Sequence, residues 1–273
     1  MPLPVTDTRR AFRPLSGEIV GLLRSLGAED WDRPTVAGSW RVRDVVAHLV
    51  DTALRRLSFH RDRSMPPVSS AGSFVDLIND LNATWVHAAR RLSPRALTDL
   101  YAQASAQLAD FVESLPLDGD ALFPVSWAGD AQSALWFDIG REFTEVWHHG
   151  AQIRDAVGAG PYPDPRWLRA VLEIALRVLP HAYRDVPGSH DVSVAIAITG
   201  RAPGEWALSR AGGAWDISEG RPASPAATAT LTDETAWRLL FNAVPLDDAR
   251  ALVRVDGDAA LALPLLRARS VIV

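Results

Sequence analysis

The 273-residue sequence contains no cysteine. That absence excludes disulfides, a thiolate nucleophile and cysteine-ligated zinc. It also contains no lysine: all 28 basic residues are arginine, which removes Schiff-base catalysis and anchoring of pyridoxal phosphate. No run approaches the roughly 18 consecutive apolar residues of a membrane-spanning helix, so no membrane role is expected. The opening Met-Pro-Leu-Pro-Val-Thr-Asp has no basic region followed by an apolar core. No secretory address is read there, and the expected location is cytoplasmic. Net charge is −5 and no Arg-rich arm stands out, which argues against nucleic acid as the main partner. GxGxxG, P-loop, GxSxG and HExxH patterns are all missing. Gly200-Arg-Ala-Pro-Gly204 lies between two strand-like runs and reads as a turn, not a phosphate cradle.

What is present is ample apolar material, 48% of residues, in a length that suits one large domain or two ordinary ones. The first half is written in helical period. Phe12, Leu15, Ile19, Leu22, Leu23 and Leu26 predict a helix over 7–27. Val42, Val45, Val46, Leu49, Ala53 and Leu57 predict a second over 40–61, with Ser39 as its cap. A third is expected over 73–92, and a fourth from Ser93-Pro94 to about 115. Asn79, Asn82 and His87 are polar residues of this region, read chiefly as exposed. A long proline-free run, 131–157, closes the helical half. The stretch from Val157 to Pro165 is rich in glycine and proline and marks a domain boundary. The domains expected are 1–158 and 165–273.

A further helix is predicted over 165–183. After His190 the period changes to alternation: Val192, Val194, Ile196 and Ile198 predict a strand. Residues 205–210 and 214–218 flank Gly212-Gly213 and read as a hairpin. Residues 226–231 form another strand, Thr232 caps a helix over 233–242, and 253–256 form a last short strand before a helix from Asp258. The fold class is α+β in two domains, helices first and then a smaller domain with a mainly antiparallel sheet.

Chemistry concentrates in Arg141-Glu-Phe-Thr-Glu-Val-Trp-His-His-Gly150. Glu145 and His149 are four apart and share a helix face, a spacing at which a carboxylate and an imidazole grip one metal ion. Glu145 and His148, three apart, lie on nearly the same face, and spacing does not choose between the two histidines. His48, at the border of the second helix's apolar stripe, is the best third ligand. Three protein ligands leave a coordination position open, as a catalytic zinc site requires. Trp40, Trp136 and Trp147 are read mainly as core, and secondarily as walls of a pocket.

Trp40-x-x-x-Asp44-Val-Val-Ala-His-Leu49, together with Glu145-Val-Trp-His-His149, resembles the mycothiol-dependent maleylpyruvate isomerase family of actinobacteria. The first half then looks like a DinB-like four-helix bundle, and the second like the sterol-carrier-like domain of those isomerases. The second likeness rests on Ala229-Thr-Leu-Thr-Asp-Glu-Thr-Ala-Trp-Arg-Leu-Leu240 and Val253-Arg-Val-Asp-Gly-Asp258. The resemblance implies a divalent metal, usually zinc, on His48, Glu145 and His149, and mycothiol as thiol cosubstrate. It departs at Gln152, where family members often carry Asp. A neutral partner there leaves the metal a slightly stronger Lewis acid or more weakly bound. With no cysteine in the chain, the thiol comes from a small molecule. It adds to a cis double bond of maleylpyruvate or a related electrophile, and the substrate carboxylates are clamped by arginines such as Arg201 and Arg221. The alternatives are a thiol-independent metal hydrolase and a non-catalytic binding protein that keeps the fold. A monomer or homodimer is expected.

Overall fold

Why the first helices form is visible in what they bury. In the computed structural model, which describes residues 3–66, 74–189 and 191–271, α1 (Phe12–Ser25) buries Phe12, Leu15, Ile19 and Leu23 along one stripe. Helix α2 (Val42–Arg56) is buried almost all round: Val42, Val45, Val46, Leu49, Val50 and Ala53 are enclosed, and so are Asp44, His48 and Asp51. A helix enclosed on every side sits inside its unit, so the polar residues it carries need partners there. The expected cap at Ser39 is not what starts it. The first turn is closed at Arg41, whose backbone N–H donates to Asp44 Oδ2 at 3.1 Å. An acidic residue in the first turn does this work because the amides there have no helical acceptor. At its other end α2 widens into a π-helical turn, Leu57–Arg61.

Helix α3 (Phe74–Ala89) lies against α2, and Trp85 Nε1 donates to the Ala47 carbonyl at 2.8 Å. The expected start at Ser73, and the loop residues just before it, lie outside the described residues. Helix α4 (Pro94–Ser114) begins as its sequence signals. Ser93 Oγ accepts from the Ala96 amide and proline takes the first position. It packs on both α1 and α2. Helix α5 (Leu135–Val157) starts four residues later than its pattern suggests, because Asp120 and Ala134 pair as a short bridge ahead of it.

The chain divides into two compact units that are not successive stretches of sequence. The helical unit comprises residues 7–117 and 145–162; the sheet unit takes the residues up to Thr6, 118–144 and those from Pro163 onward. The chain passes from the first to the second between Tyr162 and Pro163. Helix α5 contributes residues 135–144 to the sheet unit and its remaining turns to the helical one.

Within the sheet unit, α6 (Pro165–Ala175) is shorter than the helix its stripe implies. It tightens to a 3₁₀ turn over Leu176–Val178 before α7 (Leu179–Ala182). Pro180 explains the break, since it has no N–H to continue the ladder and its ring crowds the preceding turn. The five-stranded sheet has the order β3-β2-β1-β4-β5. Its strands are β1 (Ser193–Thr199), β2 (Gly204–Ala211), β3 (Ala214–Glu219), β4 (Ala227–Thr232) and β5 (Arg254–Gly257). Only β1 and β4 run parallel; the other pairs are antiparallel. The β2–β3 turn places Gly212 and Gly213 at φ 58° and 90°, the left-handed conformations a two-residue hairpin needs. Thr232 Oγ1 accepts from the Thr235 amide and starts α8 (Asp233–Leu240), which packs on β4 and β1. Helix α9 (Leu246–Leu252) has no sequence signal of its own: Leu246 and Leu252 are 46% and 56% exposed, so no apolar stripe betrays it. Helix α10 (Ala259–Ala262) follows the last strand. The α+β class, helices first and a mainly antiparallel sheet after, is the architecture observed. No helix among the described residues is long and apolar enough to cross a membrane.

Candidate metal centre

Three groups meet in the helical unit. His48 on α2, and Glu145 and His149 on α5, each bring a ligand atom to within 4.8 Å of the other two. Ligands about 2.0–2.2 Å from a tetrahedral zinc ion stand about 3.3–3.6 Å apart, so the cage closes with inward movements of up to roughly an ångström. The i,i+4 spacing on α5 sets His149 Nε2 3.6 Å from Glu145 Oε2. The His48 and His149 rings meet edge to face, centroids 4.6 Å apart. Both imidazoles are buried and Glu145 is half-buried.

The hydrogen-bond partner of His149 chooses its tautomer. Nδ1 lies 2.8 Å from Gln152 Oε1. With the amide oxygen facing the ring, Nδ1 carries the hydrogen and Nε2 keeps its lone pair. In that tautomer Nε2 and a carboxylate oxygen face each other at 3.6 Å. A cation between them supplies what neither gives the other. His48 Nδ1 is buried with no hydrogen-bond partner among the described residues. Burial, and then the neighbouring His149 ring, hold the His48 imidazole well below its ordinary pKa. It is therefore neutral near pH 7, the form that binds metal. The donor set, two imidazoles and a carboxylate, suits a borderline divalent ion such as zinc.

The alternative left open by spacing, His148, is buried beside the cluster with its ring 4.0 Å from that of His149, but it is not one of the three converging groups. Trp40 lies at the centre's edge. It is half-buried, its ring 5.0 Å from His48 and 6.3 Å from His149, so the pocket-wall reading fits it. Trp147 packs on Tyr162 as a core residue. Trp136, in the sheet unit, lies under the Arg177 guanidinium. The two arginines named as carboxylate clamps are exposed and engaged within the sheet unit. Arg201 Nη2 donates to the Pro163 carbonyl, and Arg221 pairs with Glu205 at 3.2 Å and reaches Thr228 Oγ1.

Gln152 is thus a residue whose role the structure sharpens: it orients His149 through a neutral hydrogen bond. Gln152→Ala should lower metal affinity by about 10–100-fold while the fold persists. Competition against a chromogenic chelator reads this directly. Unchanged affinity would remove Gln152 from the site.

Residues 12–154 match the family model of the mycothiol maleylpyruvate isomerase N-terminal domain. The chain belongs to that family. Two solved structures extend the likeness beyond the N-terminal domain. The crystal structure of the mycothiol-dependent maleylpyruvate isomerase aligns over 87% of this chain and 88% of its own, at TM-score 0.55 and 13% identity. That of a histidine-to-alanine mutant aligns over 94% and 95%, at TM-score 0.58 and 12% identity. At such identity the likeness establishes the fold. No curated protein shows a significant sequence match. Membership places the chain in an enzyme family of isomerases and agrees with the motif around His48.

Proposed function

We propose that this family member is a divalent-metal enzyme that uses a small-molecule thiol, mycothiol, either to isomerise maleylpyruvate or to transfer the thiol to a related electrophile. The observation that carries the reading is the apposition of His149 Nε2 and Glu145 Oε2 at 3.6 Å, with the buried His48 ring beside them. Such a pair can hold a cation between its two atoms, and three protein ligands leave a position for substrate. A divalent ion held there, zinc in the first instance, would lower the pKa of a thiol brought to that position.

The chain's own residues do the rest. Glu145 contributes negative charge to the cluster, Gln152 fixes the direction of the His149 lone pair, and Trp40 provides an apolar wall at its edge. Attack by the thiolate forms a C–S bond at the cis double bond and leaves a single bond about which the adduct rotates. Elimination breaks the same C–S bond, returns the thiolate and leaves the trans isomer, with no net oxidation. Arg201 and Arg221 stand as candidate clamps for substrate carboxylates.

Turnover of maleylpyruvate, or of a model electrophile, by metal-loaded protein should depend on added thiol and cease on chelation. Equal hydrolytic activity without thiol would favour the metal-hydrolase alternative. An intact centre with no turnover in either assay would leave a binding protein that keeps the fold.

A further inference from the structure

The face of α2 that carries His48 continues for two more turns as polar surface. His48, Asp51 and Arg55 follow at steps of three and four and form one stripe. Each contributes a buried atom with no hydrogen-bond partner among the described residues: His48 Nδ1, Asp51 Oδ2 and Arg55 Nη1. Buried polar atoms are nearly always satisfied, so a guanidinium donor left without an acceptor marks a place for an occupant that the chain itself does not provide. Asp51 Oδ2 has the Arg55 guanidinium beside it, which leaves Arg55 Nη1.

The Arg55 guanidinium is held from two sides. Nη2 donates to Asn82 Oδ1 on α3 at 2.8 Å, and Nε lies 3.1 Å from Asp51 Oδ2, an ion pair by distance but not an aligned hydrogen bond. Nη1 remains without an acceptor. The Arg55 and Asp51 side chains keep 15% and 11% of their surface, so solvent reaches the pair. Residues 48 and 55 are about 10.5 Å apart along the axis, and helical side chains lean toward the N-terminus, so Arg55 leans back toward His48.

We propose that Arg55 is a carboxylate-binding residue of this site: Nη1 donates to one oxygen of a substrate carboxylate while Asn82 and Asp51 hold the guanidinium plane. The inference rests on the metal-centre reading above and adds to it the residue that holds the substrate's carboxylate. Arginine suits the task because two donors can be anchored and a third still offered in a fixed plane.

The test uses the full chain, metal-loaded and metal-stripped, and maleate as probe in titration calorimetry. Arg55→Gln should weaken maleate binding at least tenfold in both forms. Arg55→Lys, which keeps the charge but not the plane, should fall between. Arg95→Gln, whose side chain is 94% exposed, should bind as wild type does. In thiol-dependent turnover, Arg55→Gln should raise KM for a carboxylate electrophile at least tenfold and leave KM for a neutral electrophile unchanged. Maleate binding that ignores Arg55, or an equal rise in both KM values, overturns the proposal. If Arg55→Gln does not fold, Arg55→Lys decides: wild-type affinity in that variant overturns it. Arg55-dependent maleate binding by a protein that takes up no metal would sustain this proposal and sink the metal centre. Metal-dependent thiol turnover indifferent to Arg55 would do the reverse.

Discussion

Purified protein should carry one divalent ion per chain, and His48→Ala, Glu145→Ala and His149→Ala should each abolish that stoichiometry. The expected loss exceeds the roughly 10–100-fold assigned to an outer hydrogen-bond partner, because each change deletes a ligand and not its support. The effect also appears in stability. An ion that binds only the folded chain adds about 2.7 kcal/mol when its free concentration is 100 times Kd. In a chain of this size that is worth about 5–10 °C of Tm. Wild-type protein should therefore melt higher with added metal, and the three variants should show no such rise. His148→Ala serves as the internal contrast. It removes an equally buried imidazole whose ring lies 4.0 Å from that of His149, yet it should leave metal uptake near one per chain. Elemental analysis beside thermal melts settles the point. Stoichiometric metal in His149→Ala, or its loss in His148→Ala alone, would move the ligand from one histidine to the other.

The helices of the bundle and the strands of the sheet were legible because their burial is one-sided or alternating, so the apolar pattern records it directly. Residues 42, 45, 46, 49 and 53 are all enclosed, as their spacing implies. Glu145 and His149 were legible for the same reason: four residues on a helix is a distance in space as well as in sequence. Their convergence with His48 was not readable from spacing, since it depends on how α2 meets α5; the family resemblance supplied the pairing. The partition of the chain into its compact units was equally hidden. It cuts α5 between Thr144 and Glu145, inside an unbroken helical pattern. Asn82 illustrates the other limit. As a lone polar residue on α3 it reads as solvated, and only the fold brings its oxygen onto Arg55, 27 positions away. Helix α9 went unseen because it buries Ala249 and exposes its leucines, the inverse of the pattern that announces a helix.

Gly150→Ala should destabilise the protein, although alanine is the better helix former by about 1 kcal/mol. Gly150 follows His149 on α5, in the middle of the helical unit. A β-carbon there would overlap the Tyr162 hydroxyl and come within 2.8 Å of Ile19 Cδ1 on α1. Neither neighbour yields easily. Tyr162 is enclosed, stacked near Trp147 at 5.7 Å and covered by the Arg154 guanidinium at 4.9 Å, and Ile19 is buried in the stripe that α1 presents to the core. Overpacking of this kind costs about 1–3 kcal/mol, enough to outweigh the gain in propensity. Gly17 gives the matched control. It lies inside α1 with nothing within 4 Å of a β-carbon, so Gly17→Ala should raise Tm on propensity alone. The two variants should thus move in opposite directions in metal-free protein. Relief of the overlap must push α5 away from α1 at the residue next to a proposed ligand, so Gly150→Ala should also weaken metal binding, whereas Gly17→Ala should not. If both alanines stabilise alike, the close approach of α5 to α1 and Tyr162 is wrong, and with it the placement of His149 against His48.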